Sequence, residues 1–335
     1  QSMVDELQEN KELVMAKAFN QISSRKIQTY LVCACAILVI SGNLFGLNLG
    51  GSVLVSEFFS PTDLETFLPT WLMYVLGGFI MCFGVPHGAL DFDLAIRKIP
   101  LQTWTRKCSF ILLYILIASI CVVLWYCLPA FTLCVFLAIS IWHFAKDWEA
   151  YLPTNLSLLT AVWILTLPAL LQPDAFVSIL AMLWISSAEG QLLGWIFSAL
   201  TIICSILLLL TWRLLVNRGY AYCFEIAAYL LLLLFSHILV FFTVYFCVVH
   251  SATYLKKYYK NITSEKLHLL TQIFGIMLFT TILGVIIIFF INVYGIESHF
   301  YTWLFVGLFA LTVPHMLLVE RYFNTSSENL DGAYK

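Results

Sequence analysis

The sequence predicts an all-α fold: a polytopic transmembrane helical bundle of about ten spans, with both termini cytoplasmic. Three observations lead there. Of the 335 residues, 61% are hydrophobic and 11% charged, against roughly 45–50% apolar and about 25% charged in a soluble domain. Apolar runs of about 20 residues, long enough to cross the hydrocarbon layer, recur along the chain. The basic residues gather in alternate connections. A mean hydropathy of +0.93 excludes an ordinary cytosolic enzyme or a disordered chain. The net charge of -2 offers no basic field for nucleic acid.

Residues 1–28 are polar (Glu6, Glu9, Lys11, Glu12, Lys17, Arg25 and Lys26) and read as a cytoplasmic segment, not as a cleavable signal, because a full-length apolar span follows directly. The transmembrane domain is expected over 29–322, with a cytoplasmic tail at 323–335. Spans are predicted near 30–49, 69–94, 108–127, 129–147, 155–172, 190–212, 220–236, 237–258, 267–291 and 299–321. Residues 174–188 are apolar but short, as a re-entrant or interfacial helix would be. The seventh and eighth spans are divided only by Ser236-His237. Merging them would leave nine spans and put Lys256, Lys257, Lys260 and Lys266 outside, against the positive-inside rule. With ten, those lysines share a side with Arg97, Lys98, Arg106, Lys107, Arg213 and Arg218. The opposite connections carry Glu57, Asp63, Glu65, Asp174 and Glu297.

Glu225 opens the seventh span near Arg218 and reads as interfacial. Glu189 opens the sixth, where it complements the helix dipole. The ten cysteines are scattered without a CxxC pair, which indicates buried free thiols rather than a zinc knuckle or a disulfide framework.

Polar side chains inside a bilayer are costly and mark function. Four of the seven histidines lie toward the inner ends of even-numbered spans: His87 in Pro86-His87-Gly88-Ala89-Leu90-Asp91, His143 in His143-Phe144-Ala145-Lys146-Asp147-Trp148, His250 in Tyr245-Phe246-Cys247-Val248-Val249-His250-Ser251, and His315 in Pro314-His315-Met316. Each precedes the cytoplasmic flank by a few residues, so all four are expected at one depth, roughly 5–15 Å below the inner surface. Imidazoles from four helices can converge in a bundle interior, where helical proteins build metal sites, and neutral imidazole suits iron, copper or zinc. Asp91 follows His87, and Asp147 follows His143, by four residues. Each carboxylate thus shares a helix face with an imidazole and is expected to orient it.

These motifs, in this order, resemble the Brp/Blh family of membrane β-carotene 15,15'-dioxygenases over roughly residues 30–322. The resemblance implies Fe(2+) held by His87, His143 and His250, and cleavage of β-carotene with O2 into two retinal molecules. The family commonly has a second histidine four residues after the one matching His250, and another just after the aspartate of the first motif. Here those positions are Tyr254 and Phe92. The remaining metal position is left to His315, Tyr254 or water.

A long polyene would come sideways from the lipid through a gap between helices into a tunnel lined by apolar side chains. Phe83, Trp142, Phe144, Tyr245 and Phe246 are the candidates near the histidines. The partners expected are therefore β-carotene or a related polyene, O2 and the bilayer, with no nucleic acid and with a retinal-binding opsin as a conceivable recipient downstream. The location expected is the cell's inner (plasma) membrane. Two alternatives remain at this level. One is metal-dependent oxidation of another lipid-soluble substrate. The other is a transporter whose histidines relay protons or carry a metal, against which stands the lack of an internal repeat or a membrane-centre carboxylate cluster.

Overall fold

A computed structural model describes residues 26–43, 70–84, 88, 90–99, 103–149, 152–213, 215, 220–261, 271–283, 286 and 300–320. Among them there is no strand, and a helix lies within each apolar run. In chain order these are α1 (Lys26–Asn43), α2 (Thr70–Phe79, continued by a π-helical turn Ile80–Gly84), α3 (Asp91–Lys98), α4 (Trp104–Cys127) and α5 (Pro129–Ala145). Then come α6 (Thr154–Leu171), α7 (Pro173–Met182), α8 (Ser187–Leu210) and α9 (Tyr220–Phe235). The helix α10 has three parts, α-helical Ile238–Thr243, π-helical Val244–Ser251 and α-helical Ala252–Asn261. Last are α11 (Thr271–Leu283) and α12 (Phe300–Val319).

Among the described residues, six helices are long and apolar enough to cross a bilayer. Their outward faces are those of an integral membrane protein. Along α4, Leu112, Leu116 and Val123 are all more than half exposed, as are Leu192, Ile203 and Leu210 on α8, which in water would be a large apolar liability. Residues 26–28 form the start of α1; the rest of the predicted polar N-terminal segment and the tail lie outside the described residues.

With no water at membrane depth, side-chain hydroxyls need donors and acceptors from the bundle itself. Thr160, Thr166, Thr201, Ser205 and Thr243 each donate to the carbonyl four residues earlier, at 2.7–2.9 Å. Between helices, Thr201 shares that same hydroxyl proton with Thr166 Oγ1 at 2.9 Å, and Trp163 Nε1 donates to Ser205 Oγ at 2.9 Å, fastening α8 to α6.

The break at Ser236-His237 is a reversal of the chain. Tyr229 and Tyr245, 16 residues apart in sequence, meet edge to face with ring centroids 5.7 Å apart, whereas one straight helix would separate them by about 24 Å. Gln172 satisfies the backbone of this turn. Its Nε2 donates to the carbonyls of Leu233 and Ser236 at 2.6 Å each, and its Oε1 accepts from Ile238 N at 3.1 Å.

Glu225 has its place in the bundle. It is fully buried, accepting from Tyr229 Oη at 2.8 Å and from Thr29 Oγ1 in the first turn of α1 at 3.5 Å. Its side chain faces α1, and Arg218, the neighbour expected for it, lies outside the described residues. Glu189 completes a capping box with Ser186 at the start of α8. All ten cysteines are free.

Candidate metal centre

His143 lies in the last turn of α5, His250 in the π-helical part of α10, and His315 directly after Pro314 in α12. All three are buried. Their rings meet. The centroid of His143 is 4.7 Å from that of His250 and 5.5 Å from that of His315. Three residues separated by more than 60 positions in sequence thus share one spot between three helices. His87 lies outside the described residues. Gly88, which follows it, packs beside the same spot: a Cβ built on it would stand 4.0 Å from His315 Nδ1.

Local backbone sets these directions. The π-helical stretches Ile80–Gly84 and Val244–Ser251 pack on each other. Widening the turn shifts every later side chain around the helix, a device common at functional sites. The contact is tight enough to demand glycine: a Cβ on Gly84 would run into the Phe246 ring, lying 2.8 Å from Cδ1 and closer still to Cε1.

Each of two imidazoles is tied to a buried carboxylate. His250 Nδ1 lies 3.0 Å from Asp147 Oδ2, and His315 Nδ1 lies 2.7 Å from Asp91 Oδ1. These bonds run between helices, whereas the spacing in the sequence pointed to an imidazole one turn away on the same helix. Asp91 is buttressed by Tyr114 of α4, whose hydroxyl donates to Oδ2 at 2.7 Å. Asp147 receives Tyr245 Oη at 3.4 Å. Tyr114 escaped the sequence reading because its span carries no other polar signal.

The remaining candidates divide by place. Phe144 packs on His250 at 4.6 Å and on Tyr245 at 5.3 Å, and Phe246 stacks on His250 at 5.9 Å. Tyr254 sets its ring edge-on to His315 at 5.2 Å. Phe83 and Trp142 face outward, 44% and 45% exposed, and line neither of the cavities described next. Tyr245 lines neither cavity and touches the site through Asp147.

Two cavities adjoin the histidines. The outer one, about 390 Å³, opens between α4 and α12, with Asp91, Tyr114 and His315 in its lining. The inner one, about 140 Å³, reaches His143, His250 and His315 from inside the bundle. Phe246, Leu308, Thr312 and His315 border both.

The donor set suits a first-row divalent ion. Imidazole nitrogen bonds such an ion at about 2.0–2.1 Å, so rings sharing one ion have centroids about 4.5–5.5 Å apart, as these pairs do. Where Nδ1 is held by a carboxylate, the ligating nitrogen is Nε2. Among the described residues, no group of three or more His, Cys, Asp and Glu is closed enough to hold an ion as it stands. The predicted set includes His87, which lies outside them.

Residues 79–322 match the family model described as beta-carotene 15,15'-dioxygenase. A beta-carotene 15,15'-dioxygenase of uncultured marine bacterium 66A03 is 30% identical over 274 residues, covering 75% of this chain and 94% of that protein. No solved structure matches. The matched region contains all four histidines of the predicted cluster.

Proposed function

The chain belongs to the β-carotene 15,15'-dioxygenase family, and on that footing we propose that it is an iron enzyme of the inner membrane that splits β-carotene at its central double bond to give two molecules of retinal. The observation that carries the reading is the meeting of His143, His250 and His315 from three helices, two of them braced by buried aspartates. His87, His143, His250 and His315 would hold Fe(2+), with Tyr254 packing on the last of these rather than ligating. Ten spans with both termini in the cytoplasm accord with the reversal at Ser236-His237 and the loop charges.

In the overall reaction the central C=C bond breaks and each carbon takes one oxygen atom of O2, so two aldehydes form and no external reductant is consumed. The bound ferrous ion would supply the activation of O2. Asp147 and Asp91 keep the protons of His250 and His315 on Nδ1, presenting Nε2 as the lone-pair donor. Phe144 and Phe246 press on the His250 ring and fix its plane. The apolar walls keep water from the reacting carbons. Neutral imidazoles would hold such an ion without cancelling its charge.

Carotenoid-producing cells expressing the chain test the reading. Retinal should accumulate as β-carotene falls, and the purified protein should carry about one iron per chain, lost in His143→Ala. Bound iron with unchanged β-carotene would point to another lipid-soluble substrate. Retinal formation without bound iron would remove the metal from the account.

A further inference from the structure

Resting on the reading above, we infer that the short helix α7 is an end stop: it closes the inner cavity at a fixed distance from the histidines and so selects which double bond of a polyene reaches them. The two cavities differ in kind. Phe92, Ile111, Ile115 and Leu311 in the outer lining are exposed, so that cavity faces the lipid. Every residue of the inner lining is buried or half-buried. Its far end is walled by Phe176, Leu180 and Leu183, each less than one-tenth exposed.

The distance is set by rigid elements. Leu133 and His143 both line the inner cavity and lie ten residues apart on α5, about 15 Å along the axis. On α12, Phe305, Leu308, Thr312 and His315 form one stripe over the same ten residues. The cavity is therefore a slot leading from the stop to the imidazoles. Its volume of about 140 Å³, near the roughly 150 Å³ that takes one benzene-sized ring, is that of the empty slot, so a polyene half must spread the side chains along it as it enters. The occupant that fits is a polyene whose cyclic end group seats against α7 and whose chain threads back between Phe246 and Thr312 into the outer cavity.

The stop is anchored from three sides. Trp125 Nε1 of α4 donates to Leu183 O at 3.3 Å, and Thr302 of α12 donates to Met182 O. Trp184 holds φ 66°, a left-handed value rare outside glycine. Its ring is wedged edge-on between Tyr126 at 6.1 Å and Trp303 at 5.7 Å. On the other face α8 packs against it at Gly190, whose nearest neighbours on α7 are Val177 and Leu180 at ordinary contact distance. Strain held by close packing on this scale marks a position that the fold fixes firmly.

The test uses the full-length, iron-loaded protein, β-carotene, and a polyene shortened at one end with its ring end intact. Leu180→Ala deepens the slot and should yield, besides retinal, a longer aldehyde and its shorter complement. Leu180→Trp fills it and should weaken carotenoid binding to the metal-free protein, read by the polyene's absorbance, by about tenfold or more. The parent protein should cut the shortened polyene to retinal, counting from the ring. Retinal as sole product of folded Leu180→Ala, or cleavage of the shortened polyene at its own midpoint, would overturn the end stop. Failure of the parent to cleave β-carotene at all would overturn the functional reading itself.

Discussion

Asp147 and Asp91 each take one ring nitrogen of a histidine on another helix. Such partners fix ring orientation and basicity, and losing one typically lowers metal affinity 10–100-fold. Asp91→Asn should therefore release iron at a lower chelator concentration than the parent, by a factor in that range. Equal retention would show that Asp91 does not orient His315. Gly84→Ala should destabilise by about 1–3 kcal/mol, because Phe246 must move to accommodate the methyl group. Thermal unfolding in detergent measures it; an unchanged midpoint would mean that the two π-helical turns part easily. The histidines themselves were legible, since few other residues are so costly in an apolar run. Their carboxylate partners were not: spacing along a helix reports only neighbours on that helix. Glu225 shows the same limit, its contact with Thr29 on α1 being reached through space.

Among elements, the best supported by its own sequence is α8, with Ser186 and Glu189 in a capping box at its start. Ser186→Ala should cost about 1 kcal/mol, seen as a lowered unfolding midpoint. The hairpin of α9 and α10 depends on one side chain from elsewhere. Gln172→Met would strand two carbonyls and an N–H in a buried turn. Each such group costs about 1–3 kcal/mol, so the loss should exceed that of Ser186→Ala; a smaller loss would mean that water reaches the turn. The apolar runs announced their helices, yet the π-helical register of Val244–Ser251 left no trace in them. A helix apolar all round has no stripe from which a change of register could be read.

For the molecule as a whole, chelation should abolish cleavage while leaving the helical content intact, and ferrous iron should restore it. The buried apolar core of Trp125, Trp148, Tyr229 and Tyr245 holds the bundle without help from an ion. Loss of circular-dichroism signal with the metal would instead tie folding to its binding. Neither cavity could be foreseen from the chain, because each is assembled from helices far apart in it. If α7 closes the inner one, that closure sets the order of events after scission. A half-molecule lying against Leu180 has its way out only past the imidazoles, so the half on the lipid side must leave first. Turnover would then slow as retinal builds up in the bilayer, and added retinal should act as a competitive inhibitor.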